Sequence, residues 1–398
     1  WREGGMVNSE SNVQFGEGGA GTFSDGKLYT GIKDRDGAVR LVLEELVAHG
    51  APSDILYKGK PHIGTDKLIR VIRSIRKEIL ELGGQIKFQS RVDDIIIDSG
   101  TTVGVRTSIG EEIISGNIIL AVGHSARDTF EMLHKNRIEM QSKPFSIGAR
   151  IEHPQIMIDR SLYGSAAGHQ KLGAAPYKFV QHQKNKKGRT CYSFCMCPGG
   201  LVVAASSEHG LTVTNGMSSY ARADANANSG FMVEISPEDF EDSGNPLSGI
   251  QFQRQWEQKA FQSGDPDGRA PAQLLGDFMQ NTASSEIGNV IPSYRPGVIM
   301  TDIRECLPEY VVKIMQQSVH SISKQIEGFD RKDAVLTAAE TRSSSPLRIS
   351  RDSSMQSPSA KGLYPAGEGA GYAGGILSAA VDGLRAAKAL HNNAQASL

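Results

Sequence analysis

The sequence is short of cysteine, of surplus charge of either sign and of long apolar runs, and each shortage removes a class of protein. Four cysteines, Cys191, Cys195, Cys197 and Cys306, are too few to staple a chain of 398 residues, so a disulfide scaffold is excluded and a reducing, intracellular setting is the default. Lys and Arg total 43 against 44 Asp and Glu. No global field is left to attract nucleic acid or an anionic membrane, and a small molecule is the expected partner. No apolar run reaches the ~18–20 residues of a membrane span. His62, His153, His169, His182 and His209 fall at no metal-ligand spacing, so no metal site is expected.

Glycine, by contrast, is plentiful: 44 residues, about half again the usual share near 7% and without a collagen-like period. The excess belongs to turns and close backbone approaches. Length and composition suit two hydrophobic cores. The first residues, Trp1-Arg2-Glu3-Gly4-Gly5, read as the interior of a longer sequence, which leaves the compartment open between cytoplasm and, in a plant, plastid.

Residues 13–34 hold too many glycines for a helix and too little alternation for a strand, and read as an ordered functional loop. Val39, Leu43, Leu46 and Val47 mark a helix over 36–49. Leu68, Ile69, Ile72, Ile75, Ile79 and Leu82 mark another, capped by Thr65 and stopped by Gly83-Gly84. Strands are expected at 85–88, 92–97, 103–107 and 112–115 as a meander, then at 117–122 as a strand buried on both faces, with a helix starting near Ser125. From 143 to about 290 the texture is mixed strand and loop, with strands at 145–151, 192–196 and 201–206 and polar loops at 215–245 and 263–269. A helix through Ile303 to Ile322, strands at 333–339 and 363–367 and a last helix over 375–391 complete the chain. The boundaries expected are 1–142, 143–332 and 333–398.

The strongest chemical signal is the segment from Gly362 to Leu390. A short strand ends at Gly367, Glu368 stands at its carboxyl end, and Gly369, Gly371, Gly374 and Gly375 let a ligand approach the backbone. A helix from Gly375 would aim its free N–H groups and the positive end of its dipole at that ligand. The second signal is the run from Gly16 to Lys27. Gly18, Gly19 and Gly21 can form an anion nest, with Thr22, Ser24 and Lys27 as added donors for a pyrophosphate or a substrate carboxylate.

The runs Gly16 to Leu28, Tyr192 to Gly200, Glu340-Thr-Arg-Ser-Ser-Ser-Pro346 and Tyr364 to Gly375 together resemble the uncharacterised FAD-dependent dehydrogenases of bacteria and plants, over essentially the whole chain. In that family a βαβ unit with a G-x-G-x-x-G turn lies upstream of the loop matching 13–34, and none precedes Trp1. The resemblance implies an α/β protein: a Rossmann-like FAD-binding domain, its first βαβ unit missing, assembled from both ends of the chain, with a β-rich substrate domain between. It further implies FAD as cofactor, with NAD(P)H as a candidate electron donor. Gly367 and Glu368 would lie at the ribityl and pyrophosphate region, Gly374, Gly375 and Ile376 at the isoalloxazine ring, and Ala121 to His124, including Gly123, at a second crossing of the sheet toward FAD.

A flavin performs hydride transfer itself, so the protein need supply only orientation, protons and electrostatics. Arg342 could stabilise an anionic substrate or the reduced ring, or could be an interface ion pair. His124 and Tyr372 are candidate proton donors. On a regular strand Cys195 and Cys197 would face the same way, and Cys195 could meet substrate or pack as a small apolar group. Two competing readings are an inactive flavoprotein-like scaffold and a thiol or metal module around Cys191 to Cys197.

Overall fold

The structure is a computed structural model that describes residues 7–183 and 188–396; the reading made of Trp1 to Gly5 lies outside them. Two amphipathic helices, α1 (Ala38–Ala48) and α2 (Thr65–Glu81), follow the glycine loop. Thr65 is not the cap: Gly64 is, and the Thr65 hydroxyl donates instead to the carbonyl of Thr22 at 2.7 Å, tying the helix to the loop. The meander is β1 (Val92–Asp98), β2 (Thr101–Thr107) and β3 (Glu112–Ile114), all antiparallel. Residues 85–88, expected as its first strand, are irregular and unpaired.

Strand β4 (Ile118–Leu120) then enters, with α3 (Arg127–Lys135) behind it and β5 (Met140–Ser142) leading to the largest part of the chain. There β6 (Phe145–Pro154), α4 (Gln155–Tyr163), β7 (Val180–His182), β8 (Thr190–Cys197), β9 (Leu201–Ala204), β10 (Thr214–Met217) and β11 (Asn226–Ile235) follow in order. Next come α5 (Ser248–Ser263), β12 (Ala270–Leu274), α6 (Leu275–Gln280), β13 (Val298–Met300), α7 (Glu309–Ser323) and β14 (Val335–Glu340). The chain closes with β15 (Leu347–Ile349), β16 (Leu363–Pro365) and α8 (Ile376–Ala396).

Seven of these strands make one sheet in the order β13-β12-β14-β6-β11-β8-β7, antiparallel except between β12 and β13. Along β6 the alternation is plain. Phe145, Ile147, Ala149 and Ile151 join the main core, covered by α5 and α7, while Ser146, Gly148, Arg150 and Glu152 lie buried on the opposite face. The small β9–β10 sheet lies over that second face. The sheet is therefore buried on both sides, apolar on one and polar on the other.

That polar face explains the largest departure from expectation. Residues 226–235, read as part of a loop, form β11, the strand paired to β6 over its whole length. Its Ala227, Phe231, Val233 and Ile235 enter the main core, while Asn226, Asn228 and Gly230 alternate onto the polar face and gave the segment a loop-like composition. The boundary expected at 332/333 also shifts: β14 sits between β12 and β6, so the large unit runs past 340. The helix expected from Ile303 breaks at Pro308 into a short turn and α7, because the proline ring fits only the start of a helix.

His153, on β6, is fully buried with Nε2 bonded to the carbonyl of Phe329 at 2.9 Å and its ring tilted 35° against that phenyl, centroids 4.8 Å apart. Burial holds its pKa down to about 4 from 6.5. The folded protein resists a proton that the unfolded chain accepts, so this residue's stabilisation is full above pH ~6.5 and lost as pH falls toward ~4, by about 3 kcal/mol. His153→Gln should flatten that part of the pH–stability curve in urea titrations between pH 7 and 4; an unchanged slope would refute the assignment.

Candidate functional site

The β4 and β16 strands pair in parallel, Ile118 opposite Leu363 and Leu120 opposite Pro365, so both point their carboxyl ends the same way. In α/β sheets that end is where ligands bind. From it emerge two turns, Ala121 to His124 and Ala366 to Gly375. They meet: a Cβ on Gly369 would lie 2.5 Å from the carbonyl of Gly123, and His124 Nδ1 lies 2.9 Å from Glu368 Oε1. Two residues separated by 244 positions thus form one polar pair, half-buried, at the strand ends.

The glycines of the C-terminal turn divide by role. Gly367 (φ 79°) and Gly371 (φ 84°) adopt left-handed backbone, and a side chain at Gly371 would strike the carbonyl of Leu347 at 2.7 Å; the fold itself requires it. Gly374 and Gly375 are different: they are exposed, and a Cβ there would meet nothing within 4 Å. Gly123 (φ 74°) likewise faces open space. Glycines 369, 371 and 374 carry the G-x-G-x-x-G spacing between a strand and a helix, a signal present in the sequence that the reading of this segment passed over. Asp382 on α8 fixes the turn by accepting the N–H of Gly367 at 2.7 Å and pairing with Arg351 at 2.7 Å. Nothing in one dimension marked that aspartate.

The first glycine loop reaches the same place. A Cβ on Gly21 would lie 2.9 Å from Ile376 Cγ1, so the loop lies against the start of α8. A short 3₁₀ turn over Ala20–Phe23 begins at Gly19. Gly18 is glycine for packing, its absent Cβ being 2.2 Å from Thr22 Oγ1. The Ser24 hydroxyl is spent inside the loop, donating to the carbonyl of Gly21 at 2.7 Å and accepting from Gly26 N at 3.0 Å, so it is not the spare donor expected. The buried Thr22 hydroxyl has no partner among the described residues. A cleft of about 1260 Å³ runs along this end of the molecule, lined by Phe15, Gly16, Ala121, Val122, Ser125 and Arg127 among others.

The candidate chemical groups separate. Tyr372 is held as a ring, with the Arg351 guanidinium 3.6 Å and that of Arg348 5.1 Å from its centroid. Arg342 is buried and saturated: it donates to Ser125 Oγ at 2.9 Å, Ser207 Oγ at 2.5 Å and both oxygens of Glu257 at 3.2 and 3.1 Å. Arg127 reaches the same carboxylate at 2.7 and 2.9 Å. This is the interface ion-pair geometry, not a charge offered to a ligand. Burial alone would raise the Glu257 carboxyl, but the two guanidinium groups outweigh it and hold it well below the usual range.

Cys195 and Cys197 do not share a face. The ladder between β8 and β11 slips between Asn228 and Gly230, a bulge at which Cys195 takes φ 41°. Past it Met196, rather than Cys195, joins Cys191 in the core, Cys197 is buried, and Cys195 is exposed. Bulges re-aim side chains in this way. Among the described residues these sulfurs gather into no ligand set, against a thiol or metal module; Glu45, His49 and Glu78 alone lie at metal-ligand spacing, with His49 already 2.7 Å from Glu78.

A parallel strand pair with glycine turns at its carboxyl ends, set beside a large mixed sheet, gives the chain a mixed α/β fold. Residues 144–343 match the family described as FAD-dependent protein, C-terminal domain-like, and the chain belongs to it. It is 50% identical over 388 residues to an uncharacterised protein of Clostridium beijerinckii, covering 98% of this chain and 72% of that one. Among solved structures it is similar to GidA of Aquifex aeolicus at 12% identity and TM-score 0.36, covering 97% of this chain and 59% of that one. It is also similar to the FrdA subunit of E. coli quinol fumarate reductase at 11% identity and TM-score 0.36, covering 90% and 56%.

A side chain at Gly123, Gly374 or Gly375 would enter open space. Gly375→Ala should therefore leave thermal stability without added flavin within about 2 °C of the parent, since the methyl meets no protein atom. FAD affinity, read by flavin fluorescence quenching, should fall about tenfold or more; equal affinity would remove these glycines from the site. Glu257→Gln should cost about 3–5 kcal/mol in denaturant unfolding, because two buried guanidinium groups lose their shared counter-charge.

Proposed function

We propose that this chain is an oxidoreductase unit that uses FAD to move hydride between FAD and an organic substrate, with NAD(P)H as a candidate electron donor. The observation that supports the reading is the convergence at the carboxyl ends of β4 and β16 of two glycine turns, Gly123 against Gly369, with Gly21 of the first loop against Ile376 at the start of α8, the place where α/β folds receive phosphate-bearing ligands.

FAD bound there supplies the two-electron hydride chemistry. The chain's part is placement and protons. Asp382 and Arg351 hold the Gly367 turn, and the N–H groups of the first turn of α8 would be the donors available to a bound flavin. His124, held by Glu368, is the group poised to accept or return a proton at its other ring nitrogen. Tyr372, clamped between Arg348 and Arg351, is assigned as a wall of the site, and Arg342 and Glu257 as the tie that keeps the large sheet against it.

The test is a visible absorption spectrum of the purified, gel-filtered chain after incubation with FAD. A stoichiometric bound flavin band that bleaches anaerobically with NADH or NADPH is the expected result. A folded chain that retains no flavin would favour the scaffold reading, and a band bleached by dithionite but by neither nucleotide would exclude them as donors.

A further inference from the structure

Helices α1 and α2 belong to one small core through Leu46 and Val71, with Leu43 and Ile75 packed against it. The last carbonyls of a helix lack partners and form the negative pole of its dipole, so a cationic side chain is the stabilising residue there. In these two helices the last turns are acidic instead. Glu45 lies in the last turn of α1 and Glu78 in that of α2, with no basic residue in either turn. Among the described residues neither carboxylate pairs with a lysine or an arginine. Both turn to His49, the residue that follows α1 as its cap.

His49 Nε2 lies 2.7 Å from Glu78 Oε2 and 3.9 Å from Glu45 Oε2, and the three ligand atoms fall within 4.8 Å of one another. Two ligand atoms each about 2.1 Å from a tetrahedral ion stand about 3.4 Å apart, a separation that the two distances to Nε2 bracket. The glutamate side chains are 60% and 51% exposed, free to rotate by the difference. The imidazole is the fixed member: its side chain is 11% exposed, and its Nδ1 lies 3.0 Å from Ser74 Oγ on α2. A hydroxyl both donates and accepts, so Ser74 can accept the Nδ1 proton and leave the Nε2 lone pair to an ion. Metal-bound histidines nearly always make that outer hydrogen bond. One imidazole and two carboxylates, drawn from two helices whose negative ends meet without a lysine or arginine, suit a first-row divalent ion better than a hard, oxygen-seeking one.

We propose that Glu45, His49 and Glu78 bind one Zn²⁺ ion, with water completing its tetrahedral shell, and that the ion staples the C-terminal ends of α1 and α2 together. Thr65 ties the opposite end of α2 to the first glycine loop, so the ion braces the far end of the helix that seats this loop. The site does not rest on the flavin reading, and its probe needs no flavin.

The test is titration of the chelator-treated chain with ZnCl₂ by isothermal calorimetry, with the melting temperature as a second readout. One ion per chain is expected, and at 100 times its dissociation constant it should raise the melting temperature by about 3–5 °C. His49→Gln and Glu78→Gln should each weaken binding about tenfold or more, and Ser74→Ala, which removes only the outer hydrogen bond, about tenfold. Cys195→Ser, which removes the exposed thiol, should leave the titration unchanged. No bound ion in the parent chain, equal affinity in His49→Gln, loss of the site in Cys195→Ser, or Mg²⁺ held as tightly as Zn²⁺ would each overturn the proposal. Should His49→Gln fail to fold, Glu45→Gln, at an exposed side chain, decides by losing affinity or keeping it.

Discussion

Everything at the candidate site depends on one buried carboxylate, Glu257, shared by two arginines. Arg127 opens the helix after β4, Arg342 follows β14 of the large sheet, and Glu257 projects from α5 between them. Each of these charges alone would be costly to bury. Together, with Ser125, Ser207, Gln253 and Thr341 completing their hydrogen bonds, they register the parallel strand pair against the seven-stranded sheet.

The same logic of paired burial recurs across the polar face of the sheet. Arg150 and Glu340 lie 2.9 Å apart with essentially no solvent contact, and burial pushes the Glu340 carboxyl up to about 7 against the pull of Arg150. Glu152 binds the backbone N–H and hydroxyl of Ser293 and the amide of Asn226. An apolar sheet face needs only matched shapes, whereas a polar one needs each partner at its distance.

Glycine divides into two functions that composition cannot separate. At Gly148 a Cβ would lie 1.9 Å from the Phe231 carbonyl, and at Gly199 it would lie 1.9 Å from that of Arg222, so these are packing requirements between adjacent chain segments. At Gly123, Gly374 and Gly375 the space is open.

The amphipathic helices, the meander and the strand–glycine–helix ending were legible in the sequence because each depends on near neighbours: apolar period, turn residues and helix stops act within a few positions. The glycine turns of the candidate site were legible for the same reason. The rest was decided by tertiary contact. The pairing of His124 with Glu368, the saturation of Arg342 by Glu257 and the outward turn of Cys195 each join residues far apart or depend on a slip in strand register. The strand from Asn226 to Ile235 reads as loop alone, since Asn226 and Ser229 are buried against partners that only the assembled sheet supplies and Asn228 is buried on its polar face.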